Sequence, residues 1–288
     1  MHAPVFILGM HRSGTTMLVQ LLNELGFFAG DHLDPNEETW YLLRRNEWIL
    51  RRAGGAWDQP ANCRAFLRQP TIQEQLIELL NADVKKRFSE FVSGGLSSRL
   101  LEGPWGGKDP RMSFTLPIWQ EIFPNCRVIL MRRNGVDVAN SLARRADASW
   151  ASGSAVSVRP LRRRIKSVLH PFEFLPHWSK PTRCFDLQSG FELWQDYVAA
   201  AESVFEQFEG DKIALRYEDL LANPADHLAQ VAEFCELAAQ PEQIAAAAEQ
   251  VDGERRLAFL KIPELRAFYE TVATNPWMQT LGYDALAP

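Results

Sequence analysis

Val5-Phe6-Ile7-Leu8-Gly9-Met10-His11-Arg12-Ser13-Gly14-Thr15-Thr16 is the stretch whose reading decides the fold. Val5 to Leu8 is short and wholly apolar, the composition of a strand buried on both faces. The run breaks at Gly9, turns through a loop closed by Gly14, and passes directly into a helical pattern. The apolar face of that helix is Met17, Leu18, Leu21, Leu22 and Leu25, with Gly26 placed to stop it. A strand, a tight glycine loop and a helix N-terminus aim several backbone N–H groups at one point, a geometry that binds phosphate-like anions.

The loop departs from an NTPase phosphate loop in one respect. Gly-x-x-x-x-Gly runs from Gly9 to Gly14, but Thr15 stands where the lysine of that motif belongs. Arg12, inside the loop, supplies a replacement cation with forked donors. The expected anion is therefore phosphate-like but not a triphosphate.

Outward from the loop, helical and strand patterns alternate. Asp34-Pro35-Asn36-Glu37 reads as a helix start, with Asp34 as N-cap, Pro35 at N1 and Glu37 as the N3 acid, and the helix carries Trp40, Tyr41, Trp48 and Ile49 toward Gly54-Gly55. Thr71-Ile72-Gln73-Glu74 reads as a second capping box, opening a helix that ends at Gly94-Gly95. Arg127 to Met131 has the β-branched core of a buried strand, and Asn134 to Asp137 caps the helix after it. Ser189 to Glu192 caps a long helix; Lys212 to Tyr217 is a further strand, followed by a helix near Ala225 to Phe234. This alternation predicts a P-loop-type three-layer α/β/α fold with a central parallel sheet and ligands at the carboxyl ends of its strands. We expect a single domain over residues 1–288, interrupted by an irregular insertion at about 146–180. That insertion is rich in Ser, Pro and Arg and holds a basic run from Arg159 to Lys166. A lid over the binding face and a solvated surface loop both fit it.

Composition excludes several function classes. A net charge of −5 and a pI near 5.8 argue against general nucleic-acid binding. The four cysteines, Cys63, Cys126, Cys184 and Cys235, are far apart and form no C-x-x-C pair, which suits reduced thiols better than disulfides or a zinc site. No run approaches the ~18 consecutive apolar residues of a membrane span, and the N-terminus has no signal-peptide pattern, so a cytoplasmic protein is expected.

A second constellation follows the Arg127–Met131 strand. Arg132-Arg133-Asn134-Gly135-Val136-Asp137 places arginines at the strand's carboxyl end, and Ser141 lies about two turns into the next helix. A guanidinium and a helix hydroxyl there can converge on a second phosphate. Asp137 has an ordinary role available as the N3 acid of the helix that Asn134 caps.

These motifs together resemble the sulfotransferases that use 3′-phosphoadenosine 5′-phosphosulfate (PAPS). Arg12-Ser13-Gly14-Thr15-Thr16 resembles their 5′-phosphosulfate loop. Arg133-Asn134-Gly135-Val136-Asp137 with Ser141 resembles their 3′-phosphate motif, and Arg216-Tyr217-Glu218-Asp219-Leu220 resembles a third segment near the adenine pocket. The likeness runs in order to about residue 235. It is strongest to the bacterial branch whose loop begins Gly-Met-His-Arg-Ser-Gly-Thr, not to the small-phenol enzymes, which carry Lys where this chain has Arg12. Gly107-Lys108-Asp109-Pro110-Arg111 is similar to a Lys-Asp-Pro segment beside the transferred group in the tyrosylprotein branch.

The resemblance implies PAPS as co-substrate with no metal. It assigns Arg12, Ser13, Gly14, Thr15 and Thr16 to the 5′-phosphosulfate, Arg133 and Ser141 to the 3′-phosphate, and Tyr217 to the adenine edge. Arg12 and Lys108 would meet the charge that grows on the leaving phosphate oxygen. For the base that takes the acceptor's proton, Glu38 is chosen over Asp109 and over Glu37, already used as a capping acid. His11 is read as lining the loop, His170 and His177 fall in the insertion, and Arg255-Arg256 is read as a surface pair in preference to an addition to the 3′-phosphate site. Trp40, Tyr41, Trp48 and Trp57 are read as core residues before an acceptor pocket. A small molecule, a carbohydrate, a lipid or a peptide all remain open as acceptor, and oligomeric state is not legible. The rival functions are a P-loop kinase-like phosphotransferase, which lacks its lysine here, and a non-catalytic nucleotide-binding protein.

Overall fold

The computed structural model describes residues 2–30, 32–92, 103–151 and 182–286. Val5–Leu8 (β1) pairs in parallel with Gly106–Lys108 (β2) on one side and with Arg127–Arg132 (β3) on the other. Lys212–Arg216 (β4) continues the sheet beside β3, giving the order β2-β1-β3-β4. In this register Ile7 lies level with both Lys108 and Ile129, which brings the carboxyl ends of the central strands to one edge.

The pleat sorts the strand residues into two layers. Phe6, Leu8, Val128 and Leu130 face one helical layer, while Val5, Ile7, Ile129, Met131 and Leu215 face the other. In chain order the helices are Thr15–Glu24 (α1), Trp40–Arg52 (α2), Ala61–Leu67 (α3), Pro70–Val92 (α4), Met112–Ile122 (α5), Gly135–Ala151 (α6), Leu187–Gln207 (α7), Tyr217–Ala222 (α8), Pro224–Phe234 (α9) and Pro241–Ala248 (α10). Pro263–Val272 (α11) and Pro276–Thr280 (α12) follow. Leu18 of α1, Leu220 of α8, Leu228 of α9 and Ala247 of α10 build the second layer; the first is built from α2 to α7 with α11 and α12. The expected three-layer α/β/α architecture with a parallel sheet is present.

Several expected boundaries move. The second helix starts at Trp40, not at Pro35, because the Asp34 side chain takes the N–H groups of Asn36 and Glu38 at 2.8 and 2.7 Å and curls the chain into a turn. Glu37 sits in the left-handed region at φ 58, so it is no capping-box acid, and Glu38 lies in the loop ahead of the helix. Pro70, one residue before the predicted box, opens α4; Gly94-Gly95 lies outside the described residues. Asp186, not Ser189, caps α7 by accepting the Ser189 N–H at 2.8 Å. Tyr217 leaves the strand and begins α8.

The predicted insertion does not start at 146, since α6 runs unbroken to Ala151. The remainder of it, with the basic run and with His170 and His177, lies outside the described residues. The four cysteines are unpaired and buried. Trp40 and Trp48 are not core residues: α2 buries Tyr41, Leu42, Ile49 and Leu50, leaving both tryptophans on its outer face beneath Arg44 and Arg52. Among the described residues no helix is long and apolar enough to cross a membrane.

Candidate active site

The strand order turns at β1, with β2 added on one side and β3 on the other, and α/β sheets bind ligands in the crevice at such a point. Both sequence constellations end there. The β1 loop turns through Gly9 at φ 145, Arg12 at φ 70 and Gly14 at φ 95. A non-glycine residue held left-handed, as Arg12 is, marks a backbone shaped for a task. The first helical bond of α1 runs from the Leu18 N–H to the Gly14 carbonyl at 3.1 Å, and no side chain caps the helix. The N–H groups of Thr15, Thr16 and Met17 are thus left without intrahelical partners. The Ser13 hydroxyl is buried and also has no partner, which suits a cradle waiting for an anion.

Arginines close this cradle. The Arg12 Nε donates to Ser141 Oγ at 2.8 Å, and Arg133 Nη1 donates to the Arg12 carbonyl at 2.9 Å. The Arg133 guanidinium lies 4.2 Å above the Tyr217 ring, while its Nε is buried and unpartnered. Tyr217 in turn packs so tightly on the loop that a Cβ at Gly14 would stand 2.3 Å from its ring. The neighbouring Arg132 takes no part, being held bidentately by Glu202 at 2.7 and 2.6 Å. Burial, and then the charges of Arg145, Arg133 and Arg255, lower the Arg12 pKa from its ordinary value.

Lys108, at the end of the edge strand β2, is buried and not a solvated strand-end lysine. Its Nζ donates to the Asn36 carbonyl and, at 3.4 Å, to Thr16 Oγ1. Thr16 Oγ1 itself donates to the same carbonyl at 2.8 Å, so the turn around Asp34 docks directly on the anion loop. Burial, only partly offset by Glu38, Asp109 and Asp34, lowers the Lys108 pKa.

Glu38 is buried beside these cations. One carboxylate oxygen accepts from Arg111 Nη1 at 3.1 Å, and the other lies 3.5 Å from His11 Nδ1. Burial alone would raise the Glu38 carboxyl; His11, Arg111 and Lys108 outweigh that and hold it far below the usual carboxylate range. Arg111 is fixed by Asp109 at 2.7 Å, and Asp109 accepts from Asn46 Nδ2 at 2.8 Å. Thr115 Oγ1 and Trp119 Nε1 both donate to Asn46 Oδ1 at 2.8 Å, completing a buried chain of partners. Asp109 is thus a structural anchor for Arg111, one contact behind the cleft wall.

Two adjoining cavities share His11, Asn36, Glu38 and Arg145. The first contains Arg12, Thr15, Thr16, Lys108, Arg133 and Tyr217; the second adds Asp34, Leu43, Trp57 and Arg111. A further cleft beside the first gathers Ser141, Arg144, Arg145 and Arg255 around Arg12 and Arg133. Arg12, Gly14, Thr15, Thr16, Arg133 and Ser141 therefore come together around these cavities, while the strand-end Arg132 does not. Arg144 and Arg145 were missed, though they follow Ser141 by three and four positions on one helix and so share its face. Arg255 is an exposed surface arginine, ion-paired with Asp252 at 3.1 Å, and it also borders this cleft.

Asp137 stands in the first turn of α6, as expected, and makes one contact that the sequence did not announce. Asn134 does cap the helix, accepting from the Val136 N–H at 2.9 Å, but Asp137 Oδ1 accepts from the distant Phe259 N–H at 3.0 Å. Its other oxygen is unpartnered and 4.0 Å from Arg133. Burial raises its carboxyl to about 6. Glu218, within the Arg216–Leu220 segment, ties the helix after β4 to the end of β3 and to the C-terminal segment by accepting from the Asn134 N–H at 2.9 Å and from Tyr283 Oη at 2.8 Å. Among the described residues no group of three or more His, Cys, Asp or Glu side chains is arranged to hold a metal ion.

Comparison with known proteins gives a consistent result. A family model described as the sulfotransferase family matches residues 4–241. No curated protein sequence matches the chain significantly. Among solved structures it is similar to a sulfotransferase domain from the curacin biosynthetic pathway, at 15% identity over 95% of this chain and 98% of that one, with a TM-score of 0.48. It is also similar to sulfotransferase STF9 of Mycobacterium avium, at 17% identity over 96% of this chain and 77% of that one (TM-score 0.42). The sulfotransferase domain of the Synechococcus PCC 7002 olefin synthase is 16% identical over 99% and 96% of the two chains (TM-score 0.46).

Proposed function

The chain belongs to the sulfotransferase family, and from that premise we propose that it moves a sulfuryl group from PAPS to a hydroxyl or amine acceptor by in-line transfer. The observation that carries this reading is the link between two anion subsites: Arg12 Nε meets Ser141 Oγ at 2.8 Å while Arg133 holds the Arg12 carbonyl. A donor with phosphate on both sides of one ribose needs two such subsites side by side. The loop N–H groups with Ser13, Thr15 and Thr16 would take the 5′-phosphosulfate, Arg133 and Ser141 the 3′-phosphate, and Tyr217 the adenine edge. The unpartnered Ser13 hydroxyl and Arg133 Nε support that assignment.

In the transfer, the acceptor oxygen or nitrogen bonds to sulfur as the bond from sulfur to the 5′-phosphate oxygen breaks. Negative charge grows on that leaving oxygen, where Arg12 and Lys108 stabilise it more in the transition state than in the ground state. These fixed cations do this work with no metal required by the scheme. The acceptor would sit in the cavity with Trp57 and Leu43, across the His11–Glu38 pair from the donor. The Glu38 carboxylate supplies the negative charge that draws the acceptor's proton toward this pair. A small molecule, a carbohydrate, a lipid or a peptide each fit as acceptor class, and four unpaired thiols favour a cytoplasmic setting.

Calorimetric titration with 3′-phosphoadenosine 5′-phosphate (PAP), beside ATP with Mg²⁺, tests the reading. Metal-independent binding that prefers the 3′-phosphate is the expected result. Binding of ATP–Mg²⁺ with indifference to the 3′-phosphate would replace the reading with a kinase-like one. Binding of PAPS without transfer to any acceptor would point to a non-catalytic nucleotide-binding protein.

A further inference from the structure

His11 is a polar loop side chain that the proposed donor contacts leave unused, and its surroundings are unusual. Its side chain is 7% exposed, wedged against the Trp57 ring at 4.6 Å and edge-on to Tyr197 at 5.8 Å. Nδ1 faces Glu38 Oε1 at 3.5 Å, whereas Nε2 is fully buried and has no hydrogen-bond partner. A buried ring nitrogen without a partner costs free energy unless something else occupies that position during function. Moreover, His11 borders both the donor-side and the acceptor-side cavity.

The charged groups facing His11 are Glu38, Arg111 and Arg145. Arg111 pins Glu38 at 3.1 Å, so Glu38 stays ionised and is a weak base. Burial, the largest effect, lowers the His11 pKa from 6.5 and, with the charges of Arg111 and Arg145, outweighs the facing Glu38 carboxylate, which raises it. The ring is therefore neutral at pH 7. With an ionised carboxylate facing Nδ1, the ring proton belongs on Nδ1 and the free lone pair on Nε2. The 3.5 Å separation is long for a hydrogen bond, as is common for catalytic pairs before substrate tightens them.

We infer that His11, not Glu38, takes the acceptor's proton, through Nε2, and that Glu38 and Arg111 are positioning residues that fix its tautomer. This inference rests on the sulfotransferase reading above and names the atom at which the proton arrives. As the acceptor oxygen bonds to sulfur, its proton passes to Nε2. The electron pair of the breaking S–O bond goes to the 5′-phosphate oxygen beside Arg12 and Lys108. The resulting imidazolium is stabilised by the Glu38 carboxylate at Nδ1–H, the logic by which a carboxylate supports histidine in acyl-transfer triads.

Nitrogen-15 NMR of the full chain, labelled in histidine, tests the arrangement without any donor. The expected spectrum shows His11 neutral at pH 7 with its proton on Nδ1, titrating below about 6.5. Glu38→Gln should move that titration lower still, which a purely structural role for Glu38 would not do. A proton on Nε2, or a charged ring at pH 7, would overturn the inference.

The second arm measures PAP release from PAPS with water as acceptor, alongside PAP affinity. His11→Gln should keep PAP affinity within about twofold yet lose roughly 10²–10⁴-fold in turnover, together with the acid limb of the pH profile. Turnover unchanged in His11→Gln with the limb intact would return the base to Glu38. Failure of the unaltered protein to bind PAP would instead remove the donor reading, and the NMR result would still decide the His11 arrangement.

Discussion

Arg133 donates from Nη1 to the backbone carbonyl of Arg12 at 2.9 Å, so a strand-end arginine braces the loop that carries the other cation of the cleft. The contact joins residues 121 positions apart and ties the β1 loop to the end of β3, so the two proposed anion subsites share one support. Arg133→Ala should weaken PAP binding by about 10- to 100-fold, the worth of one or two charge-assisted hydrogen bonds. Adenosine 5′-phosphate, lacking the 3′-phosphate, should lose much less. Calorimetry with both ligands checks this; equal losses would show that Arg133 acts only through the loop.

Gly14 should tolerate no side chain. Its φ of 95 disfavours any L residue, and a Cβ would stand 2.3 Å from Tyr217 Cδ2. The conformational penalty alone is about 1–2 kcal/mol, and moving Tyr217 also strips the platform under Arg133. Gly14→Ala is expected to lower Tm by roughly 4–8 °C, at ~2–4 °C per kcal/mol for a chain of this size, and to abolish measurable PAP binding. Thermal denaturation and titration of one preparation read both effects.

Lys108 should matter to the rate more than to the ground state. Its Nζ is held by the Asn36 carbonyl and Thr16. Lys108→Met keeps the buried volume close but removes the charge from the leaving oxygen. PAP affinity should change by only a few-fold, while PAPS turnover falls about 10²–10³-fold. Equal losses in binding and turnover would assign Lys108 to uniform donor binding instead.

Asp137 gives the cleft a pH dependence whose sign can be worked out. Burial raises its carboxyl to about 6, above the ordinary value of 3.8. The stability linked to the neutral form is therefore complete below pH 4 and lost as pH rises through about 6. An anion beside Arg133 also prefers the neutral carboxyl. PAP affinity relative to Asp137→Asn should thus rise as pH falls from 7.5 to 5. The ligand's own phosphate titrates near pH 6 but is common to both proteins, so the ratio isolates Asp137. A ratio that stays flat across this range would remove Asp137 from the site's electrostatics.

The sequence alone determined the fold class, because its signals are local. An apolar four-residue run, a glycine loop and an amphipathic helix are contiguous from Val5 to Leu25, and backbone geometry follows from such neighbours. The same holds for Arg133, Asn134 and Ser141, whose positions on a strand end and a helix were fixed by periodicity. Where sequence reading went astray, a side chain chose a partner that local patterning did not reveal. Asp34 curled its own segment into a turn and delayed the helix to Trp40. Asp137 reached the Phe259 N–H, 122 positions away.

The chemistry of the cleft was decided by the tertiary structure. Glu38 looked like a free carboxylate until Arg111, 73 positions along the chain, was found holding it, with His11 on its other oxygen. Basicity depends on burial and on charges within a few ångströms. Those charges arrive from β1, from the end of β2 and from α6 only when the parallel register brings the strand ends to one edge. Local sequence sets where the backbone turns; the sheet register sets which side chains then meet.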